Sequence, residues 1–280
     1  MTGLRSGVHY FDRLFDKARS EKYFLSIRFE PDGLFYAVFD TEFQKYIALE
    51  SSLQYGTAEL YDFIGKHEIL RKKFSKTVCI VPSSQYTLVP NALYAPDKKE
   101  EYLSFIFDVH QGSQIHTSDL VSEDAKLIYA TPLAYDQIAE DFFLSAILLP
   151  RTAAFINYIL PRFRNVPSSL IFMNLYRDEF DLLVLENGKM KFCNNYTFKA
   201  PEDLVYYTLF VMDQLSLNPE KAEVTMSGKI SIKSEVVKLL RKYIRFVNVL
   251  KFDGDTSLSY ALSEVEPHRF IDLLNPALCE

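Results

Sequence analysis

The sequence predicts an α/β protein of two similar halves, each with a mixed sheet of five strands and covering helices. Two observations predict this class. The order hairpin, third strand, helix, buried strand occurs in the first half and returns in the second without residue-level identity. The chain also has 280 residues, 48% of them hydrophobic and 24% charged, which is enough to build one large domain or two modest ones.

The first half opens on two alternating apolar stretches joined by turn residues. Pro31 fixes φ and Gly33 accepts a positive φ, so Pro31-Asp32-Gly33 predicts a tight turn between strands. A helix is expected to begin at Thr57, a plausible N-cap. The predicted strands are KYFLSIRF (22–29), LFYAVFD (34–40), KYIALESS (45–52), KTVCIVP (76–82), KLIYATP (126–132) and LSAILLP (144–150), with a helix, LAYDQIAEDF, between the last two.

The second half repeats this order. The Asn187-Gly188 pair is a strong hairpin signal, and Pro201 suits the first turn of a helix. Val236, Val237 and Leu240 lie at helical spacing. The predicted strands are SLIFMNLY (169–176), DLLVLE (181–186), KMKFCNNYTF (189–198), KAEVTMSG (221–228) and RFVNVLKF (245–252), with helices at 201–215 and 234–244.

The repeated pattern contains one insertion, and one boundary separates its two halves. Residues 83–122 break the order of the first half and are predicted to form an inserted subdomain. A helix over 151–160 is expected to end at Pro161, because proline removes a backbone donor. These features predict a first lobe over 1–160 and a second over 161–280.

Composition excludes several classes of function. The net charge of −6, without a lysine and arginine stripe, argues against nucleic acid binding. No apolar run is long enough to span a bilayer, the N-terminus has no apolar targeting region, and the three cysteines form no C-x-x-C pair. We therefore expect a cytoplasmic protein with no direct membrane insertion. No histidine spacing matches a metal site, and no metal is expected.

The order of elements resembles two ribonuclease H-like units, the arrangement of the actin-like ATPase superfamily. Within it the chain is similar to the pilus-assembly and cell-division members. The phrases YTLVPNALY, IYATPLAYDQI and FIDLLNPALCE resemble an uncharacterised bacterial family of unknown function with an actin-like ATPase fold. The resemblance covers nearly the whole chain. It implies a nucleotide between the halves, with the first hairpin of each unit carrying an acid and a glycine for phosphate and Mg²⁺.

In the first unit the implied phosphate hairpin is matched by Glu30, Asp32 and Gly33. Both acids and the glycine are present, but Pro31 removes one N–H donor. The Asp-Gly order is also what a good turn requires, so a purely structural role stays open.

In the second unit the implied motif is altered. The acid is replaced by Asn174 and the glycine by Tyr176, whose side chain stands where phosphate would need bare backbone. The Gly-Gly of the adenosine motif is reduced to Ser227 and Gly228. Each lost charge-assisted hydrogen bond costs about 1.5–3 kcal/mol, so two or three losses weaken binding by orders of magnitude.

The sequence therefore favours a non-catalytic actin-like-fold protein that acts as an interaction or scaffold component with a protein partner. No cofactor is expected. The alternative is a divergent ATP binder or weak Mg²⁺-dependent ATPase that uses six of these positions in non-standard roles: Glu30, Asp32, Gly33, Asn174, Ser227 and Gly228. The inserted segment 83–122 is the candidate partner surface, because insertions vary while a scaffold stays fixed. A plain structural lobe is the competing interpretation of that segment.

Overall fold

The computed structural model describes residues 7–53, 56–120, 123–252 and 257–275. Within these ranges, no helix combines the length and the apolar character needed to cross a bilayer.

Fifteen strands and six α-helices form within the described residues. The strands are β1 (His9–Phe11), β2 (Tyr23–Glu30), β3 (Gly33–Asp40), β4 (Lys45–Leu53), β5 (Lys76–Val81), β6 (Tyr86–Pro90), β7 (Ser113–Asp119), β8 (Ala125–Pro132), β9 (Ile147–Pro150), β10 (Ser169–Leu175), β11 (Glu179–Glu186), β12 (Lys189–Thr197), β13 (Glu223–Gly228), β14 (Phe246–Val249) and β15 (Ser257–Leu258). The helices are α1 (Thr57–Lys66), α2 (Lys99–Ser104), α3 (Leu133–Phe142), α4 (Arg151–Phe163), α5 (Pro201–Gln214) and α6 (Glu235–Leu240).

The chain divides into two compact units. The first contains the described residues up to Ala154 together with 257–265 and 272–275, and the second contains Phe155–Phe252 and Glu266–Ile271. The sequence analysis placed all of 161–280 in one lobe. In the structure, β15 pairs with β4 and Asp272 binds Arg28, so two short C-terminal segments join the first unit.

The main sheet of the first unit has seven strands rather than five. Its central order is β4-β3-β2-β5-β9, with β2 parallel to β5 and β5 parallel to β9. The two additional strands, β1 and β15, both pair with β4. They satisfy backbone groups that an edge strand would otherwise leave open, and their short stretches carry little periodicity for a sequence pattern to reveal.

The inserted part of the first unit has its own small sheet, in the order β6-β8-β7. The stretch KLIYATP was predicted to be a strand of the repeated order, outside the insertion, but it forms β8 at the centre of this second sheet. Ile128 and Ala130 face a small core with Val89 and Leu103 of α2. The insertion therefore extends through β8, beyond the predicted end at 122.

The second unit has the predicted five-stranded sheet, in the order β12-β11-β10-β13-β14. This matches the central order of the first unit strand for strand. One face of the sheet packs against α5 and α6, through Met173, Leu182 and Met226 on the sheet and Leu204 and Val237 on the helices. The predicted turn at Asn187 and Gly188 forms with φ of 51° and 73°.

The helix that follows β9 does not end where predicted. Helix α4 continues through Pro161 to Phe163. Proline removes one donor from the last turns, but a helix terminus already leaves carbonyls without intrahelical partners, so two more residues can follow.

Candidate functional site

The altered positions of the second unit form one row of polar side chains across four strands. Ser227 of β13 pairs with Asn174 of β10, Asn174 pairs with Asp181 of β11, and Asp181 pairs with Asn195 of β12. Side chains alternate between the two faces of a strand. Because Met173 and Leu175 point into the core with α5 and α6, Asn174 lies on the opposite face, and the row shares that face.

A continuous chain of hydrogen bonds runs along this row. Ser227 Oγ donates to Asn174 Oδ1 at 2.8 Å, and Asn174 Nδ2 donates to the hydroxyl of Tyr176 at 3.0 Å. That hydroxyl donates to Asp181 Oδ2 at 2.8 Å, and Asn195 Nδ2 donates to Asp181 Oδ1 at 3.0 Å. Each member thus uses its polar groups on a neighbour, which is the condition for burying them.

The ring of Tyr176 lies back over the row instead of pointing to solvent. Its side chain reaches residues two positions before it and five after it, and the residue is 5% exposed. Its backbone N–H donates to Glu179 O at 2.9 Å, which closes the turn between β10 and β11. Both the space and the donor that a phosphate would use at this residue are therefore taken up within the protein.

The same geometry explains why residue 174 is an asparagine and not an acid. Asp181, its cross-strand partner, is fully buried and already supplies a carboxylate to the row. A second carboxylate at 174 would place two like charges side by side away from water, which is costly. An amide instead accepts from Ser227 and donates to Tyr176.

Gly228 is held by the backbone beside it. It has φ of +81°, and a Cβ there would lie 2.1 Å from the carbonyl oxygen of Leu175 and 2.9 Å from Asn174 Oδ1. The next residue, Lys229, donates its N–H to the same Leu175 oxygen at 2.8 Å. Close approach of β13 to β10 therefore requires a glycine at 228.

One of the two candidate acids of the first hairpin, Glu30, also makes an internal contact. Glu30 is 4% exposed, and its Oε1 lies 3.2 Å from Nε of Arg28 on the same strand. Arg28 Nη1 donates to both carboxylate oxygens of Asp272, at 2.8 and 3.1 Å, and its guanidinium lies over the ring of Phe35. Pro31 and Asp32 form the two-residue turn, because Glu30 pairs with Gly33.

Two other titratable clusters lie in the first unit. Burial raises the pKa of Asp136 on α3, against the opposing effect of His116 on β7, whose Nε2 lies 2.6 Å from Asp136 Oδ1. Burial lowers the pKa of His67, against the opposing effect of Glu50, to which the hydroxyl of Tyr36 donates. Among the described residues, no group of three His, Cys, Asp or Glu side chains is arranged to hold a metal ion.

The structure brings four of the seven sequence-predicted positions together: Asn174, Tyr176, Ser227 and Gly228. The other three, Glu30, Asp32 and Gly33, lie at the hairpin of the first unit. The sequence analysis missed Asp181 and Arg28, which contact these positions, and Asn195 and Asp272, which bind Asp181 and Arg28 in turn. An arginine inside the apolar strand KYFLSIRF was the signal that could have found Arg28 and Asp272, because a buried cation requires a carboxylate partner.

Replacing Tyr176 by phenylalanine is expected to lower the free energy of unfolding by about 1.5–3 kcal/mol, because the buried carboxylate of Asp181 loses a donor. Urea denaturation followed by circular dichroism measures this. The matched control is Tyr206→Phe, whose side chain on α5 is 63% exposed, with an expected change within about 0.5 kcal/mol. Equal effects of the two substitutions would contradict the burial of a needed hydroxyl.

Solved structures of other proteins share this fold. A crystal structure from Bacteroides thetaiotaomicron VPI-5482, of a protein with an actin-like ATPase fold and unknown function, aligns with a TM-score of 0.78 and 20% identity over 85% of this chain and 94% of that chain. A chain of the PilM–PilN type IV pilus biogenesis complex aligns with a TM-score of 0.61 and 12% identity over 91% and 97% of the two chains. At these identities the likeness shows the fold alone, and the predicted actin-like ATPase fold is confirmed.

No curated protein matches the sequence significantly. A family described as "Protein of unknown function (DUF3822)" matches residues 12–247. Because that match spans most of the 280 residues, the chain belongs to this family.

Proposed function

We propose that this protein is a non-catalytic member of the actin-like fold that acts through contacts with another protein. The observation that carries the proposal is the buried row around Tyr176. Its side chain and its backbone N–H are both engaged inside the second unit. The hairpin is thereby kept as part of the folded core, without the bare backbone that a phosphate requires.

The first hairpin supports the same proposal. An acid that organises Mg²⁺ and its waters must face solvent or ligand, whereas Glu30 is buried beside Arg28. To bind a metal ion it would have to leave that contact and expose a buried guanidinium, which costs free energy.

Exposed apolar side chains on the insertion support a role in binding protein. Leu93 is 69% exposed, Phe105 92% and Ile106 56%, and all three lie on or beside the elements that pack around β8. Grouped exposed apolar residues are typical of contact surfaces. The PilM–PilN neighbour is itself part of a protein complex, which favours this role for the scaffold.

Calorimetric titration of the metal-free protein with ATP and Mg²⁺ tests the proposal. We expect no binding up to about 1 mM nucleotide, because several phosphate contacts are replaced by internal ones. Micromolar binding would overturn the proposal and establish the alternative, a divergent ATP binder or weak ATPase. Hydrolysis of ATP above the blank, lost in a Glu30→Gln variant, would do the same.

The insertion is tested separately, by surface substitution. The triple variant Leu93→Ser, Phe105→Ser, Ile106→Ser is compared with Tyr206→Ser, Phe210→Ser, which removes exposed aromatics from α5 of the second unit. Partners captured by crosslinking to the unmodified protein are purified and their affinities for each variant measured. Loss confined to the triple variant is expected, and equal affinities would assign the insertion a structural role only.

A further inference from the structure

The second unit carries one stretch in which positive charge strongly outweighs negative charge. Residues 229–251 contain seven lysines and arginines and one acidic residue, in a chain of net charge −6. All seven cationic side chains belong to exposed residues. The stretch includes α6, the turn after it and the whole of β14.

Helical spacing gathers four of these cations on one side of α6 and its following turn. Val236, Val237, Leu240 and Ile244 are buried and form the inner side. The outer side carries Lys238, Arg241, Lys242 and Arg245, which follow one another at intervals of three, one and three residues. Residues three and four apart on a helical turn are neighbours, so the four charges form a patch.

Two of these side chains are directed toward β14. Arg241 donates from Nε and Nη2 to the carbonyl oxygen of Val247, at 3.3 and 2.9 Å. The guanidinium of Arg245 lies 5.3 Å from the ring centroid of Phe246, the first residue of β14. The patch is therefore continuous with the last strand of the sheet.

Apolar rings lie within the same patch. Tyr243 is 56% exposed and Phe246 is 44% exposed, both of them between or beside the cations. We define the basic edge as Lys238, Arg241, Lys242, Tyr243, Arg245 and Phe246. Aromatic rings and arginines are the residue types that are enriched at sites where proteins bind one another.

Few acidic groups oppose these charges. Glu220 Oε2 lies 3.8 Å from Arg245 Nη1, and both side chains are more than 60% exposed, so their attraction is weak. Glu223 accepts from the amide of Asn248 at 2.9 Å. Glu235 is the one acidic residue of the stretch itself.

Strand β14 is the last strand of its sheet. Within the described part of the chain it pairs with β13 alone, over Phe246–Val249. The side of an edge strand away from its neighbour presents backbone N–H and C=O groups that an added strand can bind. At Val247 the carbonyl oxygen already accepts from Arg241, so a partner that uses this oxygen has to displace the guanidinium. Four residues extend for about 13 Å, the length of a short peptide segment.

We propose that the basic edge docks an extended acidic segment of a partner protein, which adds a strand to β14 and places its carboxylates on Lys238, Lys242 and Arg245. A short segment responds to charges within about 10 Å at physiological salt, and that neighbourhood is positive. A membrane or a nucleic acid would also meet the acidic remainder of a chain with net charge −6, which opposes binding. This inference rests on the second unit alone and is independent of the insertion.

The experiment uses the full chain and a fluorescein-labelled peptide of alternating glutamate and valine, read by fluorescence anisotropy at low salt. The test variant is Lys238→Glu, Lys242→Glu. The matched control is Lys189→Glu, Lys191→Glu, which makes the same charge change on exposed lysines of β12, at the opposite edge of the same sheet. Circular dichroism confirms that both variants are folded.

We expect the peptide affinity to fall about tenfold or more in the test variant and less than about twofold in the control. Equal weakening in both variants, or no binding below about 1 mM, overturns the proposal. Hydrogen exchange provides a second readout. The peptide is expected to slow exchange of β14 amides, and protection elsewhere with none at β14 overturns strand addition.

Parallel titrations distinguish an acidic protein segment from other ligands of the basic edge. Vesicles containing phosphatidylserine and a single-stranded oligonucleotide are titrated under the same conditions. Binding of either that is tighter than the peptide and lost in the test variant overturns the assignment to an acidic protein segment. Self-association in sedimentation that the test variant abolishes overturns it in favour of a second copy of this chain.

Discussion

Replacing Asp272 by asparagine is expected to lower the free energy of unfolding by about 3 kcal/mol, because the buried guanidinium of Arg28 loses the charged carboxylate that accepts from its Nη1. Asp272 is 1% exposed and Arg28 6%. Glu30 remains 3.2 Å from Nε of Arg28, which keeps the loss at the lower end for a broken buried ion pair. Asparagine can still accept the N–H of Leu273, so the local turn is preserved.

Guanidinium chloride denaturation monitored by circular dichroism measures the change. Asp62→Asn on the exposed side of α1 is the control and is expected to alter stability by less than about 0.5 kcal/mol. A double-mutant cycle with Arg28→Met isolates the pair. A coupling energy below about 0.5 kcal/mol would show that the contact is not the source of the effect.

The hairpins and their order could be predicted because their strands carry strong local signals. Turn residues at Pro31 and at Asn187-Gly188, between alternating apolar stretches, indicate both hairpins, and the structure confirms them. Sheet membership could not be predicted in the same way. KLIYATP and LSAILLP are equally apolar, yet one forms the centre of the small sheet and the other ends in the main sheet. The apolar content of a stretch predicts that it is buried, but it does not predict which strand it pairs with.

The sequence indicates which motif residues are missing from the candidate site, but it does not indicate the hydrogen bonds that the residues in their place make. The resemblance to the actin-like superfamily implies that Asn174 and Tyr176 stand in place of an acid and a glycine. The sequence does not show that Asp181 and Asn195 stand beside them, because that depends on the register of three strand pairs. A one-residue change of register would move each side chain to the other face of the sheet.

The basic edge was missed for a related reason. The sequence analysis looked for adjacent cations and found no stripe with interleaved aromatics. Lys238, Arg241, Lys242 and Arg245 are spread over eight residues and come together because of helical spacing. Tyr243 and Phe246 lie among them. Mapping charge onto the faces of predicted helices, rather than along the chain, would have identified the patch from the sequence alone.

Replacing Gly228 by alanine is expected to lower the free energy of unfolding by about 4 kcal/mol. Two costs combine at this position. The φ of +81° disfavours any L side chain, and the new Cβ would lie 2.1 Å from the carbonyl oxygen of Leu175, a backbone atom that cannot turn away. Relief requires β13 to move from β10, and this movement would also stretch the 2.8 Å bond between Ser227 and Asn174.

Gly112→Ala separates these two costs. Gly112 has φ of +85°, nearly the same as Gly228, and nothing lies within 4 Å of the position of its Cβ. This variant should therefore carry only the cost of the positive φ, and its free energy of unfolding should fall by about 1 kcal/mol in the same thermal or chemical denaturation. If the two variants lose equal stability, β13 and β10 are not in close contact at Gly228. If Gly228→Ala alone is strongly destabilised, the remaining glycine of the adenosine motif is explained by strand packing, and its presence is no evidence for a bound nucleotide.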